Sequence, residues 1–100
     1  MKLTIVRYTV KPGMIDENER LVRAVFAELA REAPTGLRYA SLRGEDGGFV
    51  HLVGADHPDA PTLPSFPAFT AFAADIAERV IAPPHFDNDA IVVGNYRMLG

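Results

Sequence analysis

His51 stands inside a run that otherwise reads as a β-strand, Phe49-Val50-His51-Leu52-Val53. Side chains alternate along a strand, so the imidazole shares its face with Phe49 and Val53. An imidazole on an apolar face can act as a general base or bind a ligand. It can equally be a core histidine satisfied by a neighbour. A two-residue turn at Asp46-Gly47 would oppose His51 to Leu42 and Ala40 to Val53. That register puts Ser41 and Tyr39 on the other face and excludes a Ser41–His51 dyad, whereas a three-residue loop with a bulge reverses the parity.

Other side chains invite a chemical reading beside a plain one. Tyr8 and Tyr96 lie in the two terminal runs and could bring hydroxyls to one pocket, or pack there as tyrosines commonly do in sheets. Phe66, Phe69 and Phe72 recur every third residue, as a wall for a flat ligand or as core. His85, Asp87 and Asp89 would project to one side of an extended segment and could hold a hard divalent ion; a polar connection explains them as well, and also explains Asp56, His57 and Asp59. Arg7 and Arg97 could clamp an anion, pair with acids at an interface, or reach solvent along their stems. No Gly-rich phosphate loop, Gly-x-Ser-x-Gly elbow or His-Glu-x-x-His run is present. Neither a metal site nor a cofactor site is expected.

The elements that must position these groups follow from pattern. Lys2 to Lys11 reads as a strand, and Pro12-Gly13 as a turn. Asp16 with Glu19 suggests a capping box opening a helix whose stripe is Leu21, Val22, Val25, Phe26, Leu29 and Ala33. Pro34 and Gly36 end it. Leu37 to Gly44 and Phe49 to Ala55 form a hairpin across Glu45-Asp46-Gly47-Gly48. After a proline-rich loop, Ser65 could cap a second helix carrying Phe69, Phe72, Ala73, Ile76 and Val80, with Asp75, Glu78 and Arg79 off its stripe. Pro83-Pro84 stops it, and Ala90 to Leu99 reads as the last strand. The order is β-α-β-β-α-β: an α+β, ferredoxin-like, four-stranded antiparallel sheet with two helices on one face and the first and third strands central.

Composition bounds the function. One domain fits 100 residues; 48% hydrophobic and 23% charged content is that of a folded globule, and a net charge of −3 gives no basic footprint for nucleic acid. No apolar run is long enough to span a bilayer, and Arg7 interrupts the opening segment before a signal-peptide core forms, so a cytoplasmic protein with no membrane partner is expected. The absence of cysteine removes disulfides and thiolate chemistry. Both terminal runs are apolar on both faces: Leu3 and Ile5 oppose Val6, Tyr8 and Val10. Two helices cover one side of a sheet, so the other side predicts a homodimer through the sheet face.

Several segments together resemble the dimeric α+β barrel superfamily, in its antibiotic biosynthesis monooxygenase-like branch: Val6-Arg7-Tyr8-Thr9-Val10-Lys11-Pro12-Gly13, Asp16-Glu17-Asn18-Glu19, Phe49-Val50-His51-Leu52-Val53 and Phe66-Pro67-Ala68-Phe69-Thr70-Ala71-Phe72. The resemblance implies a homodimer with sheets face to face and a pocket between sheet and helices. It implies oxidation of aromatic or polyketide-like molecules by dioxygen without a prosthetic group, or haem degradation. Active relatives often carry a Trp, a His and, in the haem-degrading members, an Asn where this chain has Ala55, Ala68 and Val6. By the same resemblance Tyr8 and His51 face the pocket, and Val6, Tyr8 and Val10 look toward the helices. The candidate catalytic residues are His51 and Tyr8, with Phe69, Phe72 and Tyr96 as substrate contacts. The alternative is a non-catalytic dimer that binds a small apolar or aromatic ligand, or binds nothing.

Overall fold

The computed structural model describes residues 2–99. Four strands, β1 (Lys2–Thr9), β2 (Leu37–Arg43), β3 (Gly48–Ala55) and β4 (His85–Ile91), form one antiparallel sheet in the order β2-β3-β1-β4. Helix α1 (Ile15–Glu32) joins β1 to β2, and α2 (Pro67–Ala74) with the short α3 (Ile76–Arg79) joins β3 to β4. The β-α-β-β-α-β order and the central position of β1 and β3 agree with the sequence pattern.

Helix α1 begins before the expected Asp16, because a 3-10 turn over Pro12–Met14 runs directly into it. Asp16 and Glu17 lie in its first turn, where acidic groups favour the helix N-terminus, and no side chain caps it. Its apolar stripe is buried at Val22 and Val25, with Leu21, Phe26 and Leu29 packed alongside. Ala33, at φ 47°, closes it in the left-handed region by donating its N–H to the Leu29 carbonyl. Ser65 does not cap α2: its hydroxyl turns back to the Thr62 carbonyl. Glu28 of α1 takes that role from across the layer, accepting the Ala68 N–H at 2.9 Å. Thus one carboxylate ties the two helices together.

The hairpin turn has three residues. Gly44 donates to the Gly48 carbonyl at 2.8 Å, enclosing Glu45, Asp46 and Gly47. Gly47 sits at φ 88°, a conformation only glycine adopts cheaply, and the Asp46 carboxylate accepts the Gly48 N–H. The extra residue shifts the register: His51 pairs with Ser41 and Tyr39 with Val53. The two-residue expectation is therefore corrected, and Tyr39 and Ser41 share the face of His51.

A second correction concerns the last strand. It occupies the segment expected to be a polar connection and stops at Ile91, with a register shift between its pairings to Leu3 and Ile5. Residues 92–99 form no strand; Asn95 accepts the backbone N–H groups of Met98 and Leu99, and Arg97 is left-handed at φ 66°. Asp-Asn-Asp is poor strand sequence, but pairing with β1 overrides propensity.

The core lies between the sheet's inner face and the helices: Tyr8, Val10, Val22, Val25, Phe49, Leu63, Phe72 and Val80. Each such burial contributes roughly 1.5–3 kcal/mol. On the outer face, alternation and pairing place Leu3, Ile5, Val50, Leu52, Ala40 and Leu42. Among the described residues no helix crosses this face. Met98 and Leu99 border a groove beside Leu3 and Leu52, where Arg38 donates to the Leu99 carbonyl at 2.9 Å.

Candidate functional site

Alternate residues of β1, β3 and β2 carry their rings to the inner face. Tyr8 opposes Phe49 and lies diagonal to His51, while Tyr39 is diagonal to His51 from the other side. The rings form a near-parallel row: Phe49 on Tyr8 at 5.5 Å, Tyr8 on His51 at 5.3 Å, His51 on Tyr39 at 5.7 Å and Tyr39 on Phe26 at 4.7 Å between centroids. Phe72 of α2 leans against Tyr8 and His51 at a tilt, the arrangement ring quadrupoles favour.

Within this row the polar atoms find one another. His51 is 4% exposed, and both of its nitrogens are engaged: Nε2 lies 2.7 Å from the Tyr8 hydroxyl and Nδ1 lies 2.6 Å from the Tyr39 hydroxyl. Asn18 Nδ2 donates to Tyr8 Oη at 3.0 Å, and Arg79 Nε donates to Asn18 Oδ1 at 2.8 Å. Arg79 also donates to the Phe72 carbonyl at 2.6 Å and lies over that residue's ring. Its backbone is fixed to the end of β1, since Lys11 donates to the Arg79 carbonyl and Ile81 to that of Thr9.

Burial sets the acid–base character of the string. It lowers the His51 imidazole to about 4, so the ring is neutral at pH 7. It pushes the Tyr8 hydroxyl up to about 12, against the opposing hydrogen bond from Asn18, and raises Tyr39 as well. Arg79 is 2% exposed, and among the described residues no carboxylate pairs with it. Its direct contacts are dipoles, an amide oxygen, a helix-end carbonyl and an aromatic face, while the Glu17 and Asp75 carboxylates act on its charge from farther away.

Beside the string lies a cavity of about 140 Å³, lined by Val6, Tyr8, Tyr39, His51, Val53, Leu63, Phe69, Phe72, Ala73, Ile76, Pro84 and Phe86. An apolar protein cavity of roughly 150 Å³ takes up benzene, so this space fits one aromatic ring. His51, Tyr8, Phe69 and Phe72 thus meet at one pocket. Tyr96 does not: it is 85% exposed, beyond the end of β4. The expected Ser41–His51 exclusion fails on geometry, yet the imidazole is spent on the tyrosines rather than on Ser41. Arg7 and His85 pair across β1 and β4 on the outer side, and Asp56 pairs with Arg38. Among the described residues no three or more His, Asp or Glu side chains stand close enough together to hold a metal ion. Among the described residues no helix is long and apolar enough to cross a membrane.

Three members of the string escape sequence reasoning. Tyr39 is lost to the turn parity, although a Gly-Gly after Asp46 fits a turn whose third residue is left-handed. Asn18 continues the α1 stripe at i, i+4 and i+7 with Val22 and Val25, and Arg79 lies seven residues after Phe72 and three after Ile76. Spacing could have found both, but their polarity argues for solvent.

No family model matches the sequence, and no curated protein matches it. Solved structures do resemble it. Rv0793 from Mycobacterium tuberculosis is 17% identical with a TM-score of 0.73, over 95% of this chain and 98% of that one. A Nitrosomonas europaea protein named as a candidate antibiotic biosynthesis monooxygenase is 18% identical, with a TM-score of 0.73 over 92% of this chain and 90% of that one. A structure named antibiotic biosynthesis monooxygenase is 22% identical, with a TM-score of 0.66 over 91% and 99%. At such identities the likeness is one of architecture. The chain therefore has the ferredoxin-like fold of the antibiotic biosynthesis monooxygenase-like structures.

Proposed function

We propose that this protein is a cofactor-independent oxygenase of single-ring phenols, working as a homodimer in the cytoplasm. The observation that carries this reading is the imidazole held between two tyrosine hydroxyls at the wall of a ring-sized apolar cavity. Direct removal of a substrate proton by His51 does not fit, because neither nitrogen is open. The string acts instead as a hydrogen-bond partner that favours the phenolate of the bound ring, with Phe69, Phe72 and Phe86 excluding water around it. The phenolate passes one electron to dioxygen, and phenoxyl radical and superoxide join at the para ring carbon. Loss of that carbon's proton and cleavage of the O–O bond expel water. One phenol and one dioxygen give one para-quinone and one water.

Oxygen-electrode assays over a panel of single-ring phenols and hydroquinones test the reading. One or more phenols should consume oxygen and yield quinone. His51→Phe, which keeps the ring but removes both hydrogen bonds, should lower kcat at least 100-fold. Unchanged turnover in that variant would overturn the mechanism.

A second reading, binding without turnover, is favoured by one feature: the accessible wall of the cavity is carbon, and the nitrogen and oxygen atoms of the string lie behind it. Saturable binding of phenols with no oxygen uptake would select it. The dimer belongs to either reading. Ile5, Val50, Leu52 and Leu42 offer an apolar surface on the outer face, and light scattering measures whether two copies bury it.

A further inference from the structure

We infer that Arg79, acting through Asn18, is the positioning residue that fixes the tautomer of His51 and makes Tyr39 the donating end of the string. The inference deepens the proposed function and names the ligand group the string receives.

The direction of every bond follows from one group that can only donate. A guanidinium has no acceptor, so the Asn18 atom 2.8 Å from Arg79 Nε must be its oxygen. The Asn18 amide nitrogen is thereby turned to Tyr8 and donates to Oη. Tyr8 has one hydrogen left to place. Asn18 Oδ1 is taken, so the acceptor is His51 Nε2. A nitrogen that accepts carries no proton; the imidazole is neutral, its hydrogen is on Nδ1, and that hydrogen goes to Tyr39 Oη. The reverse arrangement would have Tyr8 accept twice and strand its own hydrogen at a side chain only 7% exposed.

The string therefore runs from Arg79 through Asn18, Tyr8 and His51 to Tyr39, each group donating to the next. Its last hydrogen, on the Tyr39 hydroxyl, has no acceptor among the described residues. Tyr39 is half-buried and borders the cavity. A ligand oxygen that reaches the Tyr39 hydroxyl meets a donor, which suits a phenolate, an enolate or a carbonyl. Arg79 makes no ion pair among the described residues, and its charge polarises the string toward the Tyr39 end.

Long-range proton–nitrogen correlation spectra of nitrogen-15-labelled protein at pH 7, without ligand, read the tautomer directly. The His51 signals, identified by their loss in His51→Gln, should show a protonated, pyrrole-type Nδ1 and a pyridine-type Nε2. Asn18→Asp replaces the donor facing Tyr8 with an acceptor; Tyr8 should turn to it and the two nitrogen types should exchange. Arg79→Met frees the Asn18 amide and should give averaged signals, and Arg79→Lys, which still donates, should restore the wild-type pattern. A protonated Nε2 in the wild type, or a pattern unmoved by Asn18→Asp, would overturn the inference. The wild-type spectrum suffices if a variant does not fold. Because no substrate is present, failure of the oxygenase reading would leave these spectra unaffected, and the reverse holds too.

Discussion

The two faces of the sheet solve opposite problems. On the inner face, buried polar groups are joined to one another: a cation, an amide, an imidazole and two phenols form one string. On the outer face, carbon predominates, and among the described residues no helix covers it, only Met98 and Leu99 bordering Leu3. The comparison teaches where specificity resides. The inner face defines one arrangement, because each of its bonds is directional and costly to leave unmade. The outer face is non-directional surface, available to a second copy.

The strongest way to break the contrast is to remove the keystone of the inner side. Phe72→Ala withdraws the ring that touches Tyr8, His51, Phe69 and Arg79, and should cost about 3–5 kcal/mol in urea unfolding. A smaller effect comes with pH. Unfolded His51 takes up a proton near 6.5, whereas the folded ring resists down to about 4. Between these values the unfolded chain binds more protons, so the stability contributed by the neutral buried imidazole is whole above pH 6.5 and is lost as the pH falls toward 4. The loss should be about 3 kcal/mol across that window, and His51→Gln should flatten it. The smallest effect on the fold belongs to the outer face. Leu42 is 54% exposed, and Leu42→Glu should alter unfolding free energy by about 0.5 kcal/mol or less while abolishing self-association in light scattering. Equal damage to fold and association would erase the distinction between the faces.

How far the sequence reveals this depends on whether a residue obeys a local rule. The α1 stripe, the hairpin and the helical spacing of Phe69 and Phe72 follow from local pattern, and the resemblance to a known family adds the pocket positions of Tyr8 and His51. The string does not. Its polar members occupy apolar positions, and only the assembled fold supplies the partners that make their burial affordable. Asn18 lies 61 residues from Arg79 and Tyr8 lies 43 from His51, separations that no window of sequence spans. The β4 strand is hidden for the same reason, since its pairing with β1 outweighs a composition suited to a loop.

The three-residue turn at Glu45-Asp46-Gly47 carries a consequence for how this chain can change over generations. Insertions and deletions are ordinarily best tolerated at exposed turns. Here the register of β2 against β3 is set by that turn, while β1 independently holds His51 on the inner side opposite Val6. Deleting one residue would leave the imidazole in place and carry Tyr39 to the far side of the sheet, removing the end of the string without altering any residue in it. The length of a surface loop is thus part of the inherited specification of the buried site, and a lineage that trims it keeps the fold but loses the donating end of the string.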